Sequence, residues 1–165
     1  MTLGADPGPL KLSYDKEGWA VSLPPPGHVA ATRLSANGKL APAGSGLVLA
    51  EWTARPGTGS VDDPPYQAPM HIHHDEDEAW YVLDGRLRVK VGDTEHEVPA
   101  GGAVIGPRGL PHTFWNPDPD ASVRYLLVMG ARTSALLDVL HSGERPSGVE
   151  GMRALFEAYG CTLLD

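Results

Sequence analysis

The chain has 165 residues, a formal net charge of −8, 41% hydrophobic residues, 20 glycines and 16 prolines. That length fits one domain with its own core, and the acidic balance argues against nucleic acid or an anionic membrane surface as partner. The one cysteine, Cys161, leaves no disulfide framework and no thiolate metal site, so it reads as a small buried hydrophobe.

No run approaches ~18 apolar residues. The start "MTLGADPGPLKLS" lacks a basic segment followed by an apolar one. A cytoplasmic location is therefore expected. Glycine and proline are scattered rather than repeated, which suits many short strands joined by tight turns.

In chain order, strands are expected within 17–35, where "EGWAVSL" (17–23) runs into "PPPG". "GLVLAEWTA" (46–54) is a strand of β-branched and aromatic residues bounded by turn formers. The proline-punctuated stretch 55–69 has no period and reads as a lid, a binding loop or a mobile segment. From 70 on, "MHIHH", "AWYVL" and the alternating "RLRVKV" follow closely. Gly92-Asp93 makes a two-residue hairpin turn, and "AVIG", "HTFW" and "VRYLLVMG" complete the series.

The tail 132–160 reads as helical. Ser147 and Glu150 have capping-box spacing, and Gly160 can stop the second helix. Val149, Met152, Leu155, Phe156 and Tyr159 form one stripe expected to pack on the strands rather than build a site. The reading is thus one all-β domain over 1–165, with its core at about 46–130 and one or two C-terminal helices.

The chemistry concentrates in "HIHHDEDE" (71–78). On a strand, His71 and His73 share a face and can reach one ion, while His74 becomes a rim residue. Glu78 opens the next strand, so a short turn can fold its carboxylate back toward the pair. His112, just after a Pro-Arg-Gly turn, is a candidate fourth ligand; the remaining acids read as rim. Taken alone, the cluster also fits a solvated loop that scavenges metal.

These residues resemble the cupins. His71, His73, Glu78 and Gly85 fall on the family's first motif, whose leading glycine is absent because position 65 is Pro. Gly101, Pro107, Gly109, His112 and Asn116 match its second motif throughout, after the family's short spacing. The resemblance implies a double-stranded β-helix, a jelly-roll barrel of two antiparallel sheets. It also implies one divalent metal, Fe, Mn, Ni, Cu or Zn, on His71, His73, Glu78 and His112. Glu78 serves there as a static ligand or as a general base.

Within the family the chain looks most like the small single-domain quercetin dioxygenase-like proteins. That implies a small enolic or aromatic substrate. Non-redox isomerases or cyclases and non-catalytic binding cupins are the alternatives. Tyr66, Met70, Trp80 and Phe114 are candidate substrate contacts, and Trp80 and Phe114 serve equally well as core. Asn116 holds a turn or steadies a ligand imidazole. A homodimer is expected, since pairing covers exposed strand edges.

Overall fold

Strands dominate the computed structural model, which describes residues 34, 38–42, 44–57, 59 and 65–164. Apart from Leu34, the strands expected over 17–35 lie outside the described residues, as do positions 58 and 60–64 of the long loop. The elements are β1 (Lys39–Leu40), β2 (Leu47–Ala54), β3 (His71–His73), β4 (Glu78–Asp84), β5 (Arg86–Val91) and β6 (Thr94–Pro99). They continue with β7 (Ala103–Gly106), β8 (His112–Trp115), β9 (Val123–Gly130), α1 (Ala131–Leu140), α2 (Gly148–Ala158) and β10 (Cys161–Leu163).

Two antiparallel five-stranded sheets face each other, ordered β1-β2-β9-β4-β7 and β10-β3-β8-β5-β6. This is the double-stranded β-helix with C-terminal helices that the motifs implied. Strand alternation builds the core between the sheets. β4 turns Glu78, Trp80 and Val82 inward and leaves Tyr81 exposed, while β5 buries Leu87 and Val89 between its charged residues. Trp80, Val82, Leu87 and Val89 join Val48, Ala50, Leu127 and Met129 from β2 and β9 in one apolar cluster. Each such side chain contributes roughly 1.5–3 kcal/mol on burial. The Gly92-Asp93 turn joins β5 to β6, with Val91 opposite Thr94 as the hairpin reading required.

The tail departs from expectation in three ways. Ser147 sits at the N-cap of α2 but makes no side-chain capping bond, and Glu150 instead pairs with Arg153 at 3.4 Å. The apolar stripe is incomplete, because Val149 is 60% exposed. The remainder packs with Leu136, Leu140, Cys161 and Leu163 into a second cluster between the helices and β10 rather than onto the main core.

Gly160, with φ +73°, does end α2. The chain then forms β10, a strand not anticipated from "CTL", which is too short to show alternation. β10 pairs antiparallel with β3, setting Cys161 opposite His73 and Leu163 opposite His71. No helix among the described residues is long and apolar enough to cross a membrane.

Candidate metal centre

Alternation on β3 drives His71 and His73 inward, 5% and 2% exposed, and turns Ile72 the other way. β8 lies beside β3 with His112 in register with His71, so the second motif delivers a third imidazole to the same face. Glu78 arrives from β4 in the facing sheet. The four donor atoms lie within 4.8 Å of one another, and all four residues are buried. His71 Nε2 and His73 Nε2 are 3.1 Å apart; Glu78 Oε2 lies 3.3 Å from His112 Nε2 and 3.8 Å from His73 Nε2. His74 stays at the rim, where its Nε2 is 2.8 Å from Thr162 Oγ1.

The backbone assigns the tautomers. His71 Nδ1–H donates to the Pro69 carbonyl at 2.8 Å, and His112 Nδ1–H donates to the Leu110 carbonyl at 3.0 Å. Each bond leaves an Nε2 lone pair directed at the cluster. Burial, the largest cause, holds the pKa of His71 down to about 4, and the neighbouring imidazoles His112 and His73 add to it. Burial likewise lowers His73 to about 4.

Neutral lone pairs thus face one another and a carboxylate. Among the described residues neither His112 Nε2 nor Glu78 Oε2 has a hydrogen-bond partner. Such buried orphan acceptors are costly unless a cation meets them. Three imidazoles and one carboxylate suit a divalent Fe, Mn, Ni, Cu or Zn ion, so the residues present fit a metal.

His73 is steadied differently. Its Nδ1 lies 3.2 Å from Thr133 Oγ1 on α1, and that hydroxyl donates to Glu76 Oε2 at 2.8 Å. Glu76 also accepts the backbone N–H groups of Arg132 (3.1 Å) and Thr133 (2.8 Å), so it caps α1 from the β3–β4 turn. Burial pushes the Glu76 carboxyl up, but these donors outweigh it and hold the pKa below the ordinary value. Gly130 leaves room for this contact, because a Cβ there would have to displace the Glu76 carboxylate. Glu76 is therefore not the rim residue expected from its place in an acidic run.

Its neighbours in that run are also employed. Asp75 pairs with Arg132 at 2.7 Å, and Asp77 receives the Arg108 backbone N–H at 3.0 Å and its Nε–H at 3.1 Å. The latter ties the turn of the first motif to the turn of the second. Neither Glu76 nor Thr133 was legible as a site residue, because their meeting depends on how α1 docks. Cys161, 1% exposed, places its Sγ 3.0 Å from His73 Nδ1 and 3.6 Å from the Tyr159 carbonyl. Burial, with Glu78 and Glu76 nearby, pushes its thiol up to about 12, so it stays a neutral thiol.

A cavity of about 650 Å³ opens over His71, His73 and Glu78, with His112 buried behind them. Phe114 lines it, together with Trp52, Leu127 and Leu136, and Met152 and Phe156 from α2 close one side. The Phe156 ring stands edge-on to His71 at 5.8 Å, so the tail stripe helps build the site it was expected to avoid. Among the other candidate contacts, Trp80 is fully buried beside His112, with ring centroids 5.7 Å apart. Tyr66 is 44% exposed and packs edge-on against Trp115. Met70 accepts the Leu164 backbone N–H at 2.9 Å. None of these three lines the cavity. Asn116 holds a turn: its Nδ2 donates to the Ala121 carbonyl at 2.7 Å and its Oδ1 accepts the Asp118 N–H at 2.9 Å.

Comparison with known proteins fits this geometry. Residues 60–129 match the family model described as a cupin domain. No curated protein matches the chain. Several solved structures are similar. One is a protein from Thermus thermophilus, 23% identical, with 72% of this chain and 88% of that chain covered and a TM-score of 0.45. Another is a cupin-2 domain containing protein from Shewanella frigidimarina, 17% identical over 50% of this chain and 69% of its own, TM-score 0.39. A third, described as a sugar phosphate isomerase from a cupin superfamily of Silicibacter pomeroyi, is 24% identical over 52% of this chain, TM-score 0.44. This chain covers 51% of that isomerase.

Proposed function

We propose, from the match of residues 60–129 to the cupin-domain model, that this chain is a metal-dependent enzyme for a small apolar molecule bearing an enol or phenol. A ring-opening dioxygenase of the quercetinase type is the specific activity we favour. The observation that supports it is the set of four converging donors, two of them orphaned, at the buried end of a cavity with aromatic and aliphatic walls.

A divalent ion held by His71, His73, Glu78 and His112 would supply Lewis acidity to an oxygen placed against it. The protein's own part is binding, orientation and proton handling. Phe114 from one sheet and Trp52 and Leu127 from the other give the cavity apolar walls, and its volume suits a drug-sized ligand. Met152 and Phe156 keep water from the floor of the site. Glu78, with Oε2 unpartnered among the described residues, is the base for the enolic or phenolic proton. The carbonyls of Pro69 and Leu110 fix the rings of His71 and His112, so the donors need no rearrangement as the substrate arrives.

The test is metal analysis of tag-free protein beside His112→Ala, followed by oxygen-uptake assays with flavonols. About one metal per chain, lost in the variant, together with flavonol-dependent oxygen consumption, is the expected result. A metal-loaded protein that converts enolic substrates without consuming oxygen would replace the dioxygenase by an isomerase or cyclase. No metal in either protein would sink the catalytic reading.

A further inference from the structure

The chain is acid-rich, with 13 Lys and Arg against 21 Asp and Glu, so an arginine left without a carboxylate stands out. Of the arginines among the described residues, Arg86 and Arg88 pair with Glu97, Arg108 with Asp77, Arg124 with Glu51, Arg132 with Asp75 and Arg153 with Glu150. Two remain, Arg55 and Arg145, and neither has an acidic partner among the described residues. Both line the cavity. They come from unrelated parts of the chain: Arg55 follows β2, and Arg145 lies between α1 and α2.

Both arginines are exposed, whereas the four metal-binding candidates are buried, so they belong to the outer part of the cavity and the donors to its floor. The only carboxylate among the described lining residues is Glu78, at the floor. The lining also carries the apolar side chains Trp52, Leu137 and Leu140, intermediate in burial between those two groups, and the buried Phe114. The site is therefore graded: cationic outside, apolar in the middle, acceptor-rich and metal-competent within. An uncommitted guanidinium is weakly hydrated and presents a planar fork that matches a carboxylate.

Resting on the metal-anchored reading of the site, we infer that the substrate is a planar apolar molecule with an enol or phenol at one end and a carboxylate at the other. Arg55 and Arg145 receive the carboxylate at the mouth. They also turn the local field positive on a protein of net charge −8, which draws an anion to an opening the rest of the surface would repel.

The probes are 3-hydroxyflavone carrying a 4′-carboxylate and its 4′-methyl ester, titrated by absorbance into the metal-loaded protein. The wild type is expected to bind the acid at least tenfold tighter than the ester, since only the acid offers the guanidinium groups a charged partner. In R55M the acid-to-ester preference falls by about threefold to tenfold, in R145M similarly, and in the double variant it approaches one. Raising the salt from 50 to 500 mM narrows the preference in the wild type only. Equal binding of acid and ester by the wild type overturns the arginine assignment and leaves the enol-binding site standing. So does a preference that survives in the double variant. Binding of neither compound overturns the enol reading and the arginine assignment together.

Discussion

Replacing Thr133 by Val removes one hydroxyl and keeps the shape of a side chain that is 3% exposed. That hydroxyl receives His73 Nδ1–H at 3.2 Å and donates to Glu76 at 2.8 Å. Glu76 is not stranded by the change, because the backbone N–H groups of Arg132 and Thr133 remain at 3.1 and 2.8 Å. The imidazole fares worse. Its one remaining neighbour on that side is Cys161 Sγ at 3.0 Å, and a thiol is a weak acceptor.

The metal-free protein should therefore lose about 1–2 kcal/mol, from the hydroxyl's bond to the Glu76 carboxylate and its neutral bond with His73, less what the thiol and the two backbone N–H groups restore. Affinity for Zn²⁺ should fall about tenfold, the low end of the loss expected on removing a partner that orients a metal ligand. Adding Cys161→Ala leaves the ring N–H with neither acceptor, and the double variant should fall about a hundredfold, or ~2.7 kcal/mol. Cys161→Ala alone should cost under about threefold, so the pair is coupled rather than additive. Competition with a chromophoric chelator measures the affinities, and urea unfolding of the metal-free protein measures the stability. Thr133→Ser keeps the hydroxyl and should bind Zn²⁺ like the wild type. If Thr133→Ser is as weak as Thr133→Val, keeping the hydroxyl does not preserve affinity, the packing of the whole side chain decides it, and the argument fails. Wild-type affinity in the double variant would refute it outright.

Two further outcomes rest on the same geometry. His71 and His73 have folded pKa values lowered from 6.5 to about 4, so between those pH values the unfolded chain binds more protons than the folded one. Metal-free protein should hold full stability above about pH 6.5 and lose it as pH falls toward 4, by up to about 3 kcal/mol for either imidazole taken alone; a urea midpoint that stays flat from pH 7 to 4.5 would contradict this. Gly130→Ala should displace the Glu76 carboxylate from the start of α1 and cost roughly 1–2 kcal/mol, the scale of a lost helix cap. Because Glu76→Ala removes the same contact, adding Gly130→Ala to it should cost little more, and full additivity in thermal melts would show that the two do not act through one contact.

The barrel and the four donors were readable because both rest on local rules. Alternation on "HIH" and "EAWYVLD" fixes which side chains point inward, and the spacing of His112 places it at the start of a strand that can pair beside His71. The features that escaped the sequence depend on contacts between distant segments. Thr133 is an unremarkable helical residue until α1 docks beside β3. Glu76 looks like one acid among several until the backbone of Arg132 and Thr133 meets it. The three residues of β10 carry too little pattern to announce a strand, yet they pair with the strand that bears two of the ligands. The stripe on α2 was seen, but one face of a helix does not say whether it meets the core or a cavity, and Val149 and Phe156 answered in opposite ways.

Glu78 comes from one sheet and the three imidazoles from the other. An ion bound there is a rivet through the sandwich. Its affinity resists any motion that parts the two layers, and its loss loosens them first at the open end, where the cavity already interrupts the packing. At a free concentration a thousand times its dissociation constant, such a rivet adds about 4 kcal/mol to the folded state without altering a single apolar contact. Heat resistance would then follow the occupancy of this one site.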